Sequence, residues 1–183
     1  MTKALKVFAA CVGVSLASVQ LLAAQAAPAT KPGPEQKRLG YFVGKWSTEG
    51  EAKPGPMGPG GKMTSTDDCQ WFEGGFSVIC NSTGTTPGGS SKSIGILGYS
   101  PEEKVYTYYG VDNTNMTMGS VPKGTLQGDT WTYHDEGMMG GKKVKTRVTI
   151  KELSPTAYTF KMEMQGPDGK WASVMESKST KAQ

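Results

Sequence analysis

The stretch TSTDDCQWFEGGFSVICNS, residues 64–82, predicts a β-hairpin. Two strand-like runs flank Gly74-Gly75, and a Gly-Gly pair suits a two-residue primed turn, whose backbone needs positive φ. In that register residue 73 pairs with residue 76, so Cys69 faces Cys80. Opposed Cα atoms of an antiparallel ladder lie about 4.5–5.5 Å apart, within the reach of a disulfide. The hairpin therefore predicts a Cys69–Cys80 disulfide; the alternative is two small buried thiols that happen to align.

The two-residue period of a half-buried strand recurs through most of the chain. In residues 144–151 and 158–164, apolar side chains alternate with charged or hydroxyl ones. Other short strands, each bounded by Pro, Gly, Asp or Asn, are predicted at residues 46–52, 93–99, 104–111, 116–121, 130–134 and 171–176. About ten strands with short connections predict an all-β fold, an up-and-down antiparallel barrel or a sandwich. The barrel is favoured because closure leaves no exposed sheet edge.

The alternation also predicts which side chains point into the barrel. Lys145 and Arg147 should point outward, because they alternate with apolar neighbours. The expected inward set is Trp46, Trp71, Phe76, Val78, Val148, Ile150, Tyr158, Phe160 and Met162.

A short helix is predicted to begin at Pro34 and to end by Gly44. Proline suits the first helical position, and Glu35 follows near the positive end of the helix dipole. Leu39, Phe42 and Val43 fall on one face at helical spacing. We expect this helix to close one end of the barrel.

Two Pro/Gly-rich stretches are predicted to be flexible loops. Lys53 to Gly61 should connect the first two strands, and Thr86 to Ser90 should form a second loop. A pair of mobile loops would be placed to gate one end of a barrel.

Residues 1–26 have the three regions of a secretory signal peptide. Lys3 and Lys6 precede an uncharged apolar run, and Ala24-Gln25-Ala26 predicts cleavage after Ala26. A membrane anchor is the alternative, but the run is Ala-rich and no stop-transfer charges follow it. The sequence thus predicts a cleaved signal at 1–26, a disordered leader at 27–33 and a single domain at 34–183. We expect an exported protein, periplasmic or extracellular, with no stable membrane insertion after cleavage.

The charge balance gives no reason to expect a polyanionic partner. The chain has 20 basic and 16 acidic residues, and removal of the signal leaves 18 against 16. The remaining basic residues are scattered, whereas nucleic-acid binding needs a clustered stripe. Nucleic acid is therefore not expected as a partner.

The sequence contains few residues suited to catalysis. Its single histidine, His134, has no nucleophile motif beside it and should point away from Trp131 and Tyr133. Acidic pairs such as Asp67-Asp68 are chain neighbours, which face opposite sides of a strand and are typical of solvated turns. We expect no catalytic residues, no metal site built from His and Cys, and no cofactor.

Methionine and tyrosine are the residues most suggestive of a ligand cavity. The candidate lining residues are Tyr106, Tyr108, Tyr158, Phe160, Met162 and Met164. Aromatic rings with hydroxyl tips and pliable thioethers suit a ligand that has one polar end. Two alternatives stay open: a solid core of the same side chains, and a Cu(I) site at Met116-Thr117-Met118 or Met162-Glu163-Met164.

Three motifs, taken in order, resemble those of a known family. LGYFVGKW at 39–46 resembles the short helix and Gly-x-Trp opening of lipocalin-like (calycin) barrels; GYSPEEKVY at 98–106 and DGKW at 168–171 resemble later hairpins of one bacterial branch. That branch is the exported "domain of unknown function" family numbered fifteen-seventy-nine. The resemblance implies a barrel of about ten strands with Trp46 at its base, and no particular activity. Haem-carrying relatives use a histidine late in the chain, and residues 158–179 contain none.

Together these features predict a non-catalytic barrel that binds a small apolar or amphipathic molecule. The alternatives are a structural or protein-interaction module of the cell envelope with a filled barrel and, more remotely, Cu(I) binding through methionines.

Overall fold

The chain folds into a closed, up-and-down barrel of ten antiparallel strands. The computed structural model describes residues 31–113, 120–139 and 141–182. Each strand pairs with its neighbours in sequence, and the first strand also pairs with the last. The strands are β1 Gly44–Ala52, β2 Gly61–Trp71, β3 Val78–Thr86, β4 Gly89–Ser100, β5 Val105–Asp112, β6 Lys123–Gln127, β7 Thr130–Met139, β8 Lys142–Ser154, β9 Ala157–Gln165 and β10 Trp171–Lys181. The predicted fold class is confirmed.

A helical segment closes one end of the barrel, here called the base. Helix α1 spans Pro34–Arg38 and continues as a 3-10 helix over Leu39–Phe42. Pro34 occupies the first turn, where its missing N–H costs nothing, and Lys37 and Arg38 lie in the last turn. Leu39 and Phe42 are buried in the core. Among the described helices, none is long and apolar enough to cross a membrane.

An ion pair connects α1 to strands β7 and β8 at the base. Arg38 Nη2 lies 2.6 Å from each carboxylate oxygen of Glu152. Trp131 Nε1 donates to the same carboxylate at 2.7 Å, and the Arg38 guanidinium lies 5.4 Å from the centroid of the Trp131 ring. Because the carboxylate has two donors and is largely buried, this cluster holds α1 against β7 and β8.

The hairpin has the predicted register, with Cys69 opposite Cys80 and Trp71 opposite Val78. The two cysteines are joined by a disulfide, and their Cα atoms are 4.0 Å apart. The turn is longer than the two residues predicted, because the last rung is Phe72 N to Ser77 O at 2.9 Å. Within it Gly74 and Gly75 have the positive φ values predicted for them, 89° and 74°, and Gly75 N donates to Phe72 O at 3.0 Å.

Two aromatic residues of this hairpin are not interior, contrary to the prediction. Trp71 has the inward parity but is the last residue of β2, two residues past the last pair of β2 with β1, where it is 39% exposed and packs on Gly40. Phe76 lies in the turn, two residues before β3 begins, and is 36% exposed. Both side chains sit at the outer rim of the base.

The parity predicted for β8 is confirmed. Val148 and Ile150 point into the barrel, and Lys145 and Arg147 point out. On the outer face the Arg147 guanidinium binds Glu163 of β9 at 2.7 Å and stacks 4.6 Å from the centroid of the Trp171 ring.

The end opposite the base, here called the far end, carries the β1–β2 loop and the β3–β4 turn. Residues 53–60 form the predicted loop. Thr86 to Ser90 was predicted as a second loop and is instead a tight turn at Pro87-Gly88, because β3 and β4 pair as far as Thr86 and Gly89. A single β-carbon on Gly61 would lie 3.3 Å from Pro87, so the loop and the turn are neighbours.

The predicted strand at 116–121 falls mostly outside the described residues, and the strand that the structure describes after β5 is β6, Lys123–Gln127. Met116 and Met118 lie outside the described residues, and Ser120 and Val121 are not in a strand. β6 pairs with β5 at two described positions, Tyr106 with Gly124 and Thr107 with Lys123.

Candidate ligand-binding cavity

A cavity of about 420 Å³ occupies the barrel above the base core. Phe42, Trp46 and Leu97 form its floor, and the Cys69–Cys80 disulfide lies on its wall. Met63 and Ser91, close to the β1–β2 loop and the β3–β4 turn, show that the cavity reaches the far end.

The cavity has two chemically different walls. Strands β5 to β9 contribute mainly rings and aliphatic chains, here called the aromatic wall: Tyr108, Tyr133, Val148, Ile150, Tyr158, Phe160 and Met162. Strands β10 and β1 to β4 contribute mainly small polar side chains, here called the hydroxyl wall: Thr48, Ser65, Asp67, Ser82, Ser91, Ser93, Ser177 and Ser179. Met63 and Met175, on strands of the hydroxyl wall, and Asp135 and Thr146, on strands of the aromatic wall, depart from this division and lie toward the far end.

Four of the six predicted lining residues line the cavity: Tyr108, Tyr158, Phe160 and Met162. Tyr106 points inward but belongs to the base core, with its ring 4.7 Å from Trp131 and 5.0 Å from Tyr99. Met164 is also buried, but it is not among the residues that line the cavity. The structure thus brings four of the predicted residues together on the cavity wall and places the other two outside it.

Glycines on the inner face allow two tyrosine rings to lie flat against the wall. A β-carbon on Gly124 would come within 2.5 Å of the Tyr133 ring on the paired position of β7. A β-carbon on Gly95 would come within 2.9 Å of the Tyr108 ring, and one on Gly110 within 3.0 Å of its hydroxyl. Since the rings occupy space that side chains would fill at these positions, the middle of the barrel stays open.

Asp67 is the centre of a hydrogen-bond network on the hydroxyl wall. Its Oδ1 accepts a short hydrogen bond from Ser82 Oγ, and its Oδ2 accepts from Thr48 Oγ1 and Ser65 Oγ at 3.4 Å each. Thr48 is also 2.7 Å from Ser179 Oγ. The interpretation of Asp67-Asp68 as a solvated turn pair is therefore wrong for Asp67. It lies within β2, with the parity of Cys69, and points inward.

The cavity tyrosines are neutral phenols over the whole physiological pH range. Burial raises the pKa of Tyr158 to about 12, against the opposing hydrogen bond to Ser179 and with a further contribution from the charge of Asp67. Burial also raises the pKa of Tyr108, and Asp67 and Asp112 raise it further. The pKa of Tyr133 is raised for the same first reason, burial.

The Tyr133 hydroxyl is buried without a hydrogen-bond partner among the described residues. Tyr133 is 4% exposed and its ring belongs to the aromatic wall. Buried hydroxyls are usually paired, because leaving one unpaired costs about 1–3 kcal/mol. An unpaired hydroxyl on a cavity wall is a position at which a ligand gains a polar contact.

Within the described ranges, no three His, Cys, Asp or Glu side chains are close enough to hold a metal ion. His134 is exposed while Trp131 and Tyr133 are buried, which confirms its predicted orientation. Met162 faces Met175 across β9 and β10, and both line the cavity.

One solved structure supports the fold. The crystal structure of Rv2717c from M. tuberculosis is similar with a TM-score of 0.57 and 10% identity, over 84% of this chain and all of that one. A de novo designed fluorescence-activating β-barrel gives a TM-score of 0.43 and 12% identity, over 78% of this chain and 94% of that chain.

A redesigned β-barrel, b11L5F_LGL, gives a TM-score of 0.42 and 13% identity, over 79% of this chain and 95% of that chain. No curated protein matches the sequence. The family model described as "Protein of unknown function (DUF1579)" matches residues 31–181, which is the whole barrel with its base helix. The chain therefore belongs to the DUF1579 family, as its motifs predicted.

Proposed function

We propose that this protein is an exported, non-catalytic β-barrel that binds a small amphipathic molecule in its interior. The observation that carries the proposal is the cavity of about 420 Å³ between the aromatic and hydroxyl walls. Sites for small molecules commonly measure about 300–1,000 Å³ and combine an apolar lining with a few convergent polar groups. A barrel whose interior were filled by its own side chains would not have such a space.

The arrangement of the two walls favours an elongated molecule with one polar end. Phe160, Met162 and Val148 offer an apolar surface, and Asp67 with its hydroxyl partners faces it across the barrel. Methionine adapts its shape at low cost, which suits ligands of irregular outline. The ligand's apolar part would lie on the aromatic wall, and its polar end would reach the hydroxyl wall.

Export is the second part of the proposal. It rests on the signal-like pattern of residues 1–26 and on the Cys69–Cys80 disulfide, a bond that persists in oxidising compartments. Fractionation of the producing cell, followed by mass measurement of the intact protein, tests it. A periplasmic or extracellular protein that begins at Ala27 is expected; a full-length cytoplasmic protein would contradict the proposal.

Ligand binding is tested on the protein purified from its native compartment. Denaturing extraction and mass spectrometry would identify a bound molecule, and a thermal-shift screen would cover fatty acids, retinoids, quinones and Cu(I). A ligand at 100 times its Kd adds about 2.7 kcal/mol to the free energy of unfolding. Cu(I) tests the methionine alternative, for which the Met162–Met175 pair offers two thioethers. An empty extract with no thermal shift would contradict ligand binding.

Two variants separate binding in the cavity from binding elsewhere. Thr146→Phe adds a ring to the cavity wall, and Thr149→Phe adds the same ring to the outer face of the same strand. We expect the first to weaken binding of any screened ligand at least about tenfold, because the ring occupies its space, and the second to leave affinity unchanged. Equal affinities in the two variants would place the ligand outside the barrel.

A structural or interaction role is the second candidate, and one observation favours it. Ile94, Ile96, Tyr109 and Val111 form an exposed apolar patch on the outer face of β4 and β5. Contiguous exposed apolar surface often marks a protein contact. Ile96→Lys would abolish such a contact and leave binding in the cavity intact, so the two roles can be distinguished.

A further inference from the structure

We propose that the hydroxyl wall selects a ligand whose polar end is a cation, an amine or quaternary ammonium group, held against the Asp67 carboxylate. This inference rests on the proposed function and specifies its ligand class. A fatty acid or another carboxylate would be excluded, although its apolar part would fit the same cavity.

The first argument is the bonding of Asp67. Its oxygens accept hydrogen bonds from Ser82, Thr48 and Ser65, all neutral hydroxyls. Among the described residues no Lys or Arg forms an ion pair with Asp67, whereas its neighbour Asp68 pairs on the outer face with Lys45 at 3.9 Å. Hydroxyl donors fix the orientation of an inward carboxylate without neutralising its charge. A bound cation would supply the missing charge.

The second argument is the sign of charge in the cavity. Its described lining has two carboxylates, Asp67 and Asp135, and no Lys or Arg; His134 is an exposed contributor. Inside a partly desolvated barrel the repulsion of a second carboxylate is much larger than in water. An anionic ligand is thus disfavoured, and a cationic one is attracted.

The third argument concerns the opposite wall. Tyr133 Oη is buried and unpaired among the described residues, and it can accept a hydrogen bond from a ligand N–H. The Tyr108 and Tyr158 rings also line the cavity, and the charge of Asp67 contributes to the raised pKa of both. Tyrosine faces attract cations, so rings near the carboxylate complete the surroundings of an ammonium group.

Three ten-carbon probes test the charge preference: decylamine, decanol and decanoate. Dissociation constants would be measured by calorimetry on the mature, oxidised protein. We expect decylamine to bind about tenfold or more tightly than decanol, because its bond to a carboxylate is charge-assisted, and decanoate to bind most weakly. Decanoate binding as tightly as decylamine would overturn the inference. Failure of all three probes would contradict the proposed function instead.

Matched variants assign the preference to Asp67. Asp67→Asn keeps the size of the side chain and removes its charge, and Asp68→Asn makes the same change on the outer face. We expect Asp67→Asn to bind decylamine no more tightly than decanol while still binding decanol, and Asp68→Asn to retain the wild-type order. A preserved amine preference in Asp67→Asn would overturn the inference. If that variant does not fold, the order of the three probes on the wild type decides.

Tyr133→Phe gives a test with opposite effects on stability and binding. Removing a hydroxyl that has no partner among the described residues should leave the urea midpoint of the unliganded protein unchanged or raised. The same change should weaken decylamine binding several-fold, because the ligand loses an acceptor. Unchanged affinity in Tyr133→Phe would exclude Tyr133 from the site.

Discussion

Trp46 joins the base helix to the barrel through three kinds of contact. Its indole Nε1 donates to Phe42 O at 2.7 Å, its ring lies 4.8 Å from that of Tyr158, and the Lys181 ammonium lies 5.0 Å from its centroid. The side chain is 1% exposed. Because one residue contacts the base helix, β9 and β10, its loss would affect the closure of the barrel as well as its packing.

We expect Trp46→Ala to reduce the free energy of unfolding by about 3–5 kcal/mol, the usual cost of truncating a buried aromatic residue. Urea unfolding followed by circular dichroism measures it. Trp71→Ala is the matched control, since Trp71 is half-exposed at the rim and should cost less. A loss below about 1 kcal/mol for Trp46→Ala would contradict its role in closing the base.

Glu163 is a buried carboxylate on the outer side of the sheet. Arg147 Nε and Nη2 both donate to its Oε2, at 2.9 and 2.7 Å, and Lys161 Nζ lies 3.0 Å from its Oε1. Burial alone would raise the pKa of Glu163, but the hydrogen bonds and charges of Arg147 and Lys161 outweigh burial and lower it.

A lowered pKa in the folded state makes Glu163 a source of acid sensitivity. Its contribution to stability is complete above the unfolded pKa of glutamate, about 4.3, and is lost as pH falls through the lower folded pKa. We expect Glu163→Gln to be less stable than the wild type at neutral pH and to approach it at the acid end of a pH series of urea midpoints.

Glu51→Gln is the control for this series. Glu51 pairs with Lys53 at 3.3 Å, but both side chains are exposed, so the change should have little effect at any pH. A constant difference between the wild type and Glu163→Gln across the series would show that the carboxylate charge is not responsible.

The β2–β3 hairpin is stabilised by a covalent cross-link in addition to its ladder. The disulfide connects residues 11 apart in sequence, directly opposite each other on the inner face. Closing a loop of this size restricts the unfolded chain and stabilises the folded state by about 3 kcal/mol in the chain-entropy model. The hairpin includes one side of the base and part of the hydroxyl wall, so the bond supports both.

We expect the denatured, unreduced protein from its native compartment to show no titratable thiols, and reduction to lower its free energy of unfolding by about 2–4 kcal/mol. A Cys69→Ser, Cys80→Ser double variant provides the comparison without reductant and should be insensitive to dithiothreitol. Two free thiols per chain before reduction would contradict the prediction.

The strands that could be predicted are those with a complete alternating pattern. β8 and β9 place an apolar or hydroxyl side chain at each inward position from Val144 to Ile150 and from Tyr158 to Met164, so both their existence and their parity followed from the sequence. β6 was missed because one of its inward positions is Gly124, whose place is taken by the Tyr133 ring of the next strand. The sequence pattern of one strand does not show that a side chain of the neighbouring strand occupies the space over a glycine.

The candidate site was predicted for one wall only. Aromatic and thioether side chains are conspicuous in the sequence, whereas the hydroxyl wall consists of serines, a threonine and one aspartate that also suit turns. The inward direction of Asp67 could have been predicted from its position two residues before Cys69. The adjacent Asp68 favoured the interpretation of the pair as a turn instead. The size of the cavity could not be predicted, because it depends on ring orientations over Gly95 and Gly124.

The two ends of the barrel differ, because the base is closed by a helical segment and the far end is reached by the cavity. β1 begins at the base and β10 ends there, and Ala182 N donates to Lys45 O at 2.8 Å. A fluorescent reporter, affinity resin or sensor surface joined to the carboxyl end of this domain would therefore lie beside the base helix. Every immobilised copy would present its far end to the solution, so the orientation needed for a biosensor is already built into the order of the strands.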